Sequence, residues 1–284
     1  MTTFEFFRLR FHFRAVDEIR LPAHAGNAVR GAFGAALRET APAEEYARIF
    51  EPRQVGAGPS GLSDWPRPFV FRASQLNGMA IPSGARFFLD VHLFDLRAAA
   101  VECMRSALEF MAECGIGRPP RGRARLERLE WLDLSDRVTE SGPNVVALDS
   151  VTERVEHVRL RFVTPTELKG GGELVERPEF PVLFARLRDR ISTLRSLYGG
   201  GPLEISFREL GERAAAVRLR WCELKWEDAE RRSARTGQVH PMGGFTGEAE
   251  YEGSLGEFVP WLRAARWVGV GRQTVWGKGD VRIE

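Results

Sequence analysis

The sequence has 284 residues, of which 43% are hydrophobic and 28% charged, and its formal net charge is +2. This apolar content fills the core of one large globular domain or of two domains of ordinary size. No apolar stretch approaches the length of a membrane span, so we expect no membrane partner, and the net charge is too small to identify another kind of partner.

The three cysteines lie at positions 103, 114 and 222 and form no CxxC pair. We interpret them as reduced thiols of a cytoplasmic protein. The run "MTTFEFFRLRFHF" carries arginines among its apolar residues, which favours a strand over a signal peptide. Arginine supplies nearly all of the positive charge, and its side chain can bind phosphate and stack on bases, although a GC-rich genome would also favour it.

Hydrophobic periodicity in the first half of the chain predicts the element order βαββαβ. We expect a strand over 5–14, a helix over 27–40, strands over 69–72 and 86–94, a helix over 97–113 and a strand over 124–132. Asn27 is the expected N-cap of the first helix.

The second half predicts the same order again. We expect a strand over 156–164, a helix over 179–197, strands over 215–226 and 245–251, a helix over 256–265 and a strand over 279–284. The motif "FRLRF" at 7–11 recurs as "VRLRF" at 158–162, and "GIGR" at 115–118 recurs as "GVGR" at 269–272, at nearly the same spacing. The sequence therefore predicts an α+β protein of two tandem ferredoxin-like (RRM-like) domains, 1–137 and 150–284.

The predicted strand order of each sheet, 4-1-3-2, places the loop after the first strand beside the glycine-rich turn before the last. In the first domain "PAHAGN" then lies beside "GIGRPPRGR", which carries Arg118, Arg121 and Arg123. In the second domain "TELKGGGE", with Lys169, lies beside "GVGRQTVWGKG". We expect glycines at both edges to bring backbone N–H groups close to solvent among basic side chains, as phosphate binding requires.

The run "VGVGRQTVWGKGDVRIE" fits neither common phosphate-binding motif. Its glycines follow a predicted helix and precede a strand, whereas a dinucleotide fingerprint needs the reverse order, and Gly277-Lys278 lacks the Ser or Thr of a P-loop. A tight turn explains some of the glycines. The run as a whole better fits an anionic ligand that can stack, such as RNA, contacted by Gly269, Gly271, Arg272, Gln273, Thr274, Trp276, Gly277, Lys278 and Gly279.

Several motifs together resemble one family. The glycine-rich run resembles that of the RAMP superfamily of CRISPR proteins. With "LYGGGPLEISFREL", "TPTELKGGG" and "IRLPAHAGNAVRGAFGAALR", it resembles more specifically the CRISPR repeat-processing endoribonucleases of the Cas6 family. The resemblance spans almost the whole chain and implies two ferredoxin-like domains, in agreement with the internal repeat.

The resemblance also implies an activity. It implies metal-independent cleavage of precursor CRISPR RNA within each repeat, with no cofactor, leaving a 2′,3′-cyclic phosphate and a 5′-hydroxyl. The implied partners are CRISPR repeat RNA and subunits of a CRISPR effector complex, and the protein would be a monomer or a homodimer. The alternative is a non-catalytic RAMP subunit that binds guide RNA within an effector complex.

Histidine transfers protons near neutral pH, so the histidines are the first catalytic candidates. His12, His92 and His157 lie in or beside predicted strands, and we interpret them as packed or sheet-face residues. His24 precedes the first helix, the region from which the resembled family draws its catalytic histidine. We therefore predict His24 as general acid or base, the alternative being that it only shapes the entry to the helix.

Further candidates surround this assignment. His240 is a second proton-transfer candidate, although it is also a typical loop histidine before a proline. It follows Arg231, Arg232 and Arg235, which we predict to contact RNA. Arg30, on the first helix, could support the phosphorane or be a solvated helix residue. Relatives often pair the histidine with a tyrosine or lysine, and the loop before the first helix contains neither.

Overall fold

The computed structural model describes residues 2–52, 65–228, 230–232, 239–241 and 243–284, without the side chains of 230–232 and 239–241. The helices of the first half are α1 (Ala25–Thr40), α2 (Ala43–Phe50) and α3 (Ala98–Cys114). Its strands are β1 (Thr3–Ala15), β2 (Ile19–Arg20), β3 (Phe69–Arg72), β4 (Ala80–Ile81), β5 (Arg86–Leu93), β6 (Ala124–Leu132), β7 (Val138–Thr139) and β8 (Asn144–Ala147).

The second half contains the remaining elements. Its helices are α4 (Phe180–Tyr198), α5 (Phe207–Ala215) and α6 (Val259–Val268). Its strands are β9 (His157–Thr166), β10 (Lys169–Gly170), β11 (Glu173–Leu174), β12 (Arg218–Glu227), β13 (Glu230–Arg232), β14 (Val239–Pro241), β15 (Gly244–Glu252) and β16 (Val281–Ile283). None of the described helices is both long enough and apolar enough to cross a membrane.

Two antiparallel sheets organise the two halves. The first has the order β3-β5-β1-β6 and the second the order β12-β15-β9-β16. When the four strands of each order are numbered along the chain, both sheets read second, third, first and fourth strand. This is the predicted order 4-1-3-2 read from the opposite edge, so the predicted connectivity is confirmed. The central strand β1 pairs on both sides, with Phe11 opposite Leu89 of β5 and Leu129 of β6.

The segment between the two predicted domains contains two short strands. Strand β7 extends the first sheet beside β6, and β8 pairs with the start of β1. The sequence prediction also omits α2 and α5. Helix α1 begins at Ala25, two residues earlier than predicted, so the expected N-cap role of Asn27 is wrong.

Each half has its own apolar core. In β1, Leu9, Phe11 and Phe13 are buried in the first core, against α1 and α3. Phe4 and Phe6, at the start of the same strand, are buried in the second core. One strand therefore contributes to both cores and joins the two halves.

The C-terminal end of α6 is held by donors from both halves. Arg72 Nη2 donates to the carbonyl oxygen of Arg266 at 2.6 Å, and His92 Nδ1 lies 2.9 Å from that of Trp267. Arg190 Nε donates to the carbonyl oxygen of Val268 at 2.8 Å. Burial holds the pKa of His92 well below its ordinary value, so the ring is neutral and Nδ1 is its donor. These bonds fix the end of α6, from which the terminal glycine-rich run begins.

Candidate active site and RNA-binding surface

The glycine-rich run over 269–279 lies between the two halves. A Cβ atom at Gly277, where φ is +85°, would lie 2.9 Å from the carbonyl oxygen of Phe71 in β3. A Cβ atom at Gly26, in the first turn of α1, would lie 2.3 Å from the carbonyl oxygen of Trp276. Glycine is therefore needed where backbone meets backbone, and the run closely contacts both α1 and β3.

The predicted neighbouring loops meet in the second half, whereas in the first half the glycine-rich turn contacts residues 18–20 and "PAHAGN" contacts the terminal run through Gly26. Arg118 N donates to the carbonyl oxygen of Arg20 at 2.7 Å in the first half. Arg272 N donates to that of Glu167 at 3.0 Å in the second.

The expectation that the terminal run exposes its amides to solvent is wrong. Gly269, Thr274, Lys278 and Gly279 are buried. The first half of the protein covers the run around Trp276 and Gly277, and Gly243 and Pro165 of the second half cover Lys278 and Gly279. Many of its backbone N–H groups already donate to carbonyl oxygens of the protein, namely those of Gly269, Val270, Arg272, Trp276, Gly277 and Gly279. The buried part of the run is a structural wall, and direct RNA contacts are left to its exposed side chains.

His24 occupies the N-cap position of α1, and its side chain is exposed. The helix start is held from a distant loop, since Ala25 N donates to Asn77 Oδ1 at 2.9 Å. The positive end of the α1 dipole therefore lies beside the imidazole, where it favours an anion.

A small cleft of about 50 Å³ opens beside His24. A space of that size admits one or two water molecules at roughly 30 Å³ each, or part of a phosphate group, but no nucleoside. Its lining comes from both halves of the chain and, as described, contains no carboxylate: His24, Gly26, Asn27, Ala73, Ser74, Asn77, Thr164, Pro165, Trp276, Gly277 and Lys278. Its polar groups suit a phosphate oxygen.

Lys278 contributes the cationic side chain of this cleft. Its side chain is buried, with 6% exposed, and Nζ donates to Gly243 O and to Gln273 Oε1, both at 2.8 Å. Burial lowers the pKa of Lys278 from 10.5 to about 8. The ammonium therefore remains mostly protonated at neutral pH and gives the cleft a positive potential.

Arg30 is half-buried, so its interpretation as a solvated helix residue is wrong. Its guanidinium lies 4.3 Å from the ring centroid of Phe50 and 5.5 Å from that of Trp276. Arg30 lies outside the described lining of the His24 cleft. It supports the indole of Trp276, which does form part of that lining.

The other predicted RNA-binding residues fall into three groups. Arg118, Arg121 and Arg123 are exposed and lie outside the cleft, in the turn that packs against residues 18–20. Lys169, Gly271, Arg272, Gln273, Thr274 and Trp276 line a second, larger groove. Arg231, Arg232 and His240 lie in the paired strands β13 and β14, whose side chains are not described, and Arg235 lies outside the described residues.

Sequence reasoning missed several residues of the cleft, above all Ser74, Asn77 and Thr164. Asn77 precedes Gly78 in a turn far from α1 in the sequence, so no local pattern connects it with His24. Thr164 opens "TPTELKGGG", a motif that the family resemblance covers, and this was the only available signal.

Two family models match the chain. Residues 160–281 match the model described as CRISPR-associated endoribonuclease Cas6, and residues 4–152 match AF_1859_N, described as an N-terminal domain. By this match the second half of the chain belongs to the Cas6 family of CRISPR-associated endoribonucleases. No curated protein sequence matches the chain.

Solved Cas6 structures share the fold over the whole chain. Thermus thermophilus Cas6 (TTHB231) has a TM-score of 0.59 and 16% identity, with 100% of both chains covered. A product complex of Cas6 (TTHB231) has a TM-score of 0.60 and 17% identity, covering 98% of this chain and 99% of that one. A product complex of Cas6 (TTHA0078) has a TM-score of 0.56 and 20% identity, with the same coverage.

Proposed function

We propose that this Cas6 family member cleaves precursor CRISPR RNA within its repeats, without a metal ion, by attack of a ribose 2′-hydroxyl on the adjacent phosphate. The 2′-oxygen forms a bond to phosphorus, and the bond from phosphorus to the 5′-oxygen breaks. One product ends in a 2′,3′-cyclic phosphate and the other begins with a 5′-hydroxyl. One proton leaves the 2′-hydroxyl and one is gained by the 5′-oxygen, so a base and an acid must both act.

His24 transfers one of these two protons in our proposal. The observation that carries the assignment is the position of His24, exposed at the N-terminus of α1 and facing a cleft whose described lining holds a lysine and no carboxylate. The helix dipole and Lys278 both favour the extra negative charge of the phosphorane. Asn27, Ser74 and Thr164 can donate hydrogen bonds to its oxygens.

The wider organisation is part of the same proposal. Each half is a ferredoxin-like domain, 1–137 and 150–284, and the site lies where the two domains meet. The exposed arginines Arg118, Arg121 and Arg123 and the strands β13 and β14 hold flanking RNA. Effector-complex subunits are the further partners, and the protein acts in the cytoplasm as a monomer or homodimer.

The test uses labelled repeat RNA from the host's CRISPR array, incubated with pure protein in EDTA. We expect wild-type protein to cleave once per repeat and to leave a cyclic phosphate. Because general acid–base catalysis contributes about 10²–10⁴-fold, His24→Ala should lose at least about 10²-fold in rate and still bind the RNA. His157→Ala is the matched control, since His157 is exposed at the start of β9, outside the cleft.

Two outcomes would contradict the proposal in different ways. If His24→Ala cleaves at the wild-type rate, the catalytic assignment fails while the family assignment stands. If the wild-type protein binds the repeat and never cleaves it, the protein acts as a non-catalytic RNA-binding subunit.

A further inference from the structure

A second groove shares Trp276 with the His24 cleft. It encloses about 610 Å³, and Trp276 lines both spaces. Its walls come from residues 65–67, from β10, from α4 and from the terminal run. The volume falls within the range of about 300–1,000 Å³ that proteins use for ligands of nucleotide size. A chain that passes over Trp276 would therefore enter this groove directly from the cleft.

The groove is strongly cationic. Its described lining includes five basic side chains, Arg67, Lys169, Arg186, Arg190 and Arg272, and one carboxylate, that of Glu167. That carboxylate is already paired with Arg272. Arg186 is held in place, because its Nε donates to the carbonyl oxygen of Lys169 at 2.9 Å. Low-dielectric walls strengthen the field of such a cluster, which therefore favours a polyanion.

Arg190 is the unusual member of this cluster. Only 7% of it is exposed, and its Nε is fixed by the carbonyl oxygen at the end of α6. Its Nη2 is buried and has no hydrogen-bond partner among the described residues. Burial lowers the pKa of Arg190 to about 9, and the nearby charge of Arg72 acts in the same direction. Because Arg190 lines the groove and is largely shielded from solvent, its charge is weakly screened and favours an anion in the groove.

The groove also offers aromatic surface. Trp65 and Trp276 line it, and both are only partly buried. Arg30 supports Trp276 from the side, with its guanidinium 5.5 Å from the ring centroid. Nucleic-acid bases stack on such rings with little dependence on their sequence.

We propose that this groove binds unpaired RNA next to the scissile phosphate, with phosphates near Arg186 and Arg190 and a base against Trp65 or Trp276. The inference rests on the proposed function, because it takes RNA as the substrate, and it adds that the nucleotides in the groove are single-stranded. A double helix keeps its bases stacked inside and presents its phosphates on a wide surface. It therefore cannot place a base on these rings or a phosphate beside the buried Arg190.

The experiment measures binding by fluorescence anisotropy in the His24→Ala background, which removes cleavage. The ligands are a labelled, unstructured RNA and the same RNA annealed to its full complement. We expect at least about 10-fold tighter binding of the single strand, because stacking on one ring alone contributes about 1–3 kcal/mol. Each phosphate contact to a single strand also contributes about −0.7 to the slope of log K against log salt.

Two variants and one control test the groove itself. Arg190→Met and Arg186→Gln should each weaken single-strand binding about 10-fold and reduce the salt slope by about 0.7. Arg208→Gln is the control, because Arg208 lies on α5, is highly exposed and pairs only with Glu212 among the described residues. Thermal unfolding of each variant shows whether it folds, and Arg186→Gln keeps the test valid if Arg190→Met does not.

The proposal is overturned if the duplex binds as tightly as the single strand, or if folded Arg190→Met and Arg186→Gln proteins keep the affinity and salt slope of the control.

Cleavage by otherwise wild-type protein is measured separately on the host's repeat RNA. If cleavage is absent while binding depends on the groove, the proposed function fails and the groove assignment stands. If cleavage occurs while the groove variants bind as tightly as the control, the groove assignment fails and the proposed function stands.

Discussion

Gly26 and Gly31 both lie in α1, and the structure predicts opposite consequences when each is replaced by alanine. A Cβ atom at Gly26 would lie 2.3 Å from the carbonyl oxygen of Trp276 and 3.1 Å from its carbonyl carbon. Apart from adjacent residues and the backbone of α1 itself, no described atom lies within 4 Å of the Cβ position at Gly31. Both substitutions add one methyl group to the same helix, so their difference isolates the contact between α1 and the terminal run.

The expected magnitudes follow from this geometry. Gly31→Ala should raise the free energy of unfolding by about 1 kcal/mol, the difference in helix propensity between the two residues. At Gly26, carbon and oxygen in contact need roughly 3.3 Å, so the two backbones must separate by roughly 1 Å. Overpacking of this kind costs about 1–3 kcal/mol, and Gly26→Ala should therefore be destabilised relative to wild type.

Cleavage should respond more strongly than stability. Gly26 is two residues from His24, and its partner Trp276 is two residues from Lys278, so the separation moves the two sides of the cleft apart. A misplacement of about 1 Å can cost about 10²-fold in rate. We expect Gly26→Ala to lose about that factor in single-turnover cleavage, while Gly31→Ala keeps the wild-type rate.

Urea unfolding and single-turnover cleavage of the two variants, measured side by side, provide the test. Equal stability and equal activity of Gly26→Ala and Gly31→Ala would refute the reasoning. In that case the approach of α1 to the terminal run would not hold the site together.

Three further predictions concern the same region. The pKa of Lys278 is about 8 in the folded protein and 10.5 in the unfolded chain. Between these pH values the unfolded chain therefore binds more protons than the folded protein. The free energy of unfolding should rise with pH over this range, by at most about 3 kcal/mol. Urea unfolding of Lys278→Met should lack this rise, and an identical pH profile for both proteins would contradict the burial argument. Asn77→Ala removes the acceptor of Ala25 N and should lower the free energy of unfolding, measured by chemical denaturation, by about 1 kcal/mol and also reduce the cleavage rate. An unchanged denaturation midpoint and an unchanged rate would show that the cap is dispensable. Arg30→Met should reduce cleavage far less than His24→Ala does, because Arg30 packs on Trp276 outside the cleft lining, and equal losses would restore Arg30 as a group that supports the phosphorane.

Local patterns predicted most of the regular structure. Strand β6 has the predicted bounds, 124–132, and α3 and α4 differ from prediction by one residue at each end. Helical spacing in α3 and the alternation of buried and less buried residues over 9–15 in β1 are sufficient for this. Helix α2 was missed because it has only eight residues and buries only Ile49 and Phe50, too short a pattern to show a period.

The candidate site was predictable only in part. The prediction of His24 rested on its place beside the start of a helix, which is a local feature, and on the family resemblance. The cap by Asn77 was not, since the two segments meet only in the folded chain. The burial of Lys278 was missed for the same reason, because a lysine among glycines predicts an exposed loop until the carbonyl oxygen of Gly243 and the side chain of Gln273 satisfy its ammonium.

The terminal glycines show why spacing alone misled the prediction. A glycine can expose its amide to a ligand, or it can let two backbones approach, and the sequence is the same in both cases. At Gly277 and Gly26 the second use applies, since each meets a carbonyl oxygen of the other half of the protein. The cleft beside His24 therefore exists only while the two halves are docked. Arg72, His92 and Arg190 lie outside the cleft lining, yet they hold the end of α6 and so fix the start of the run that forms one side of the cleft.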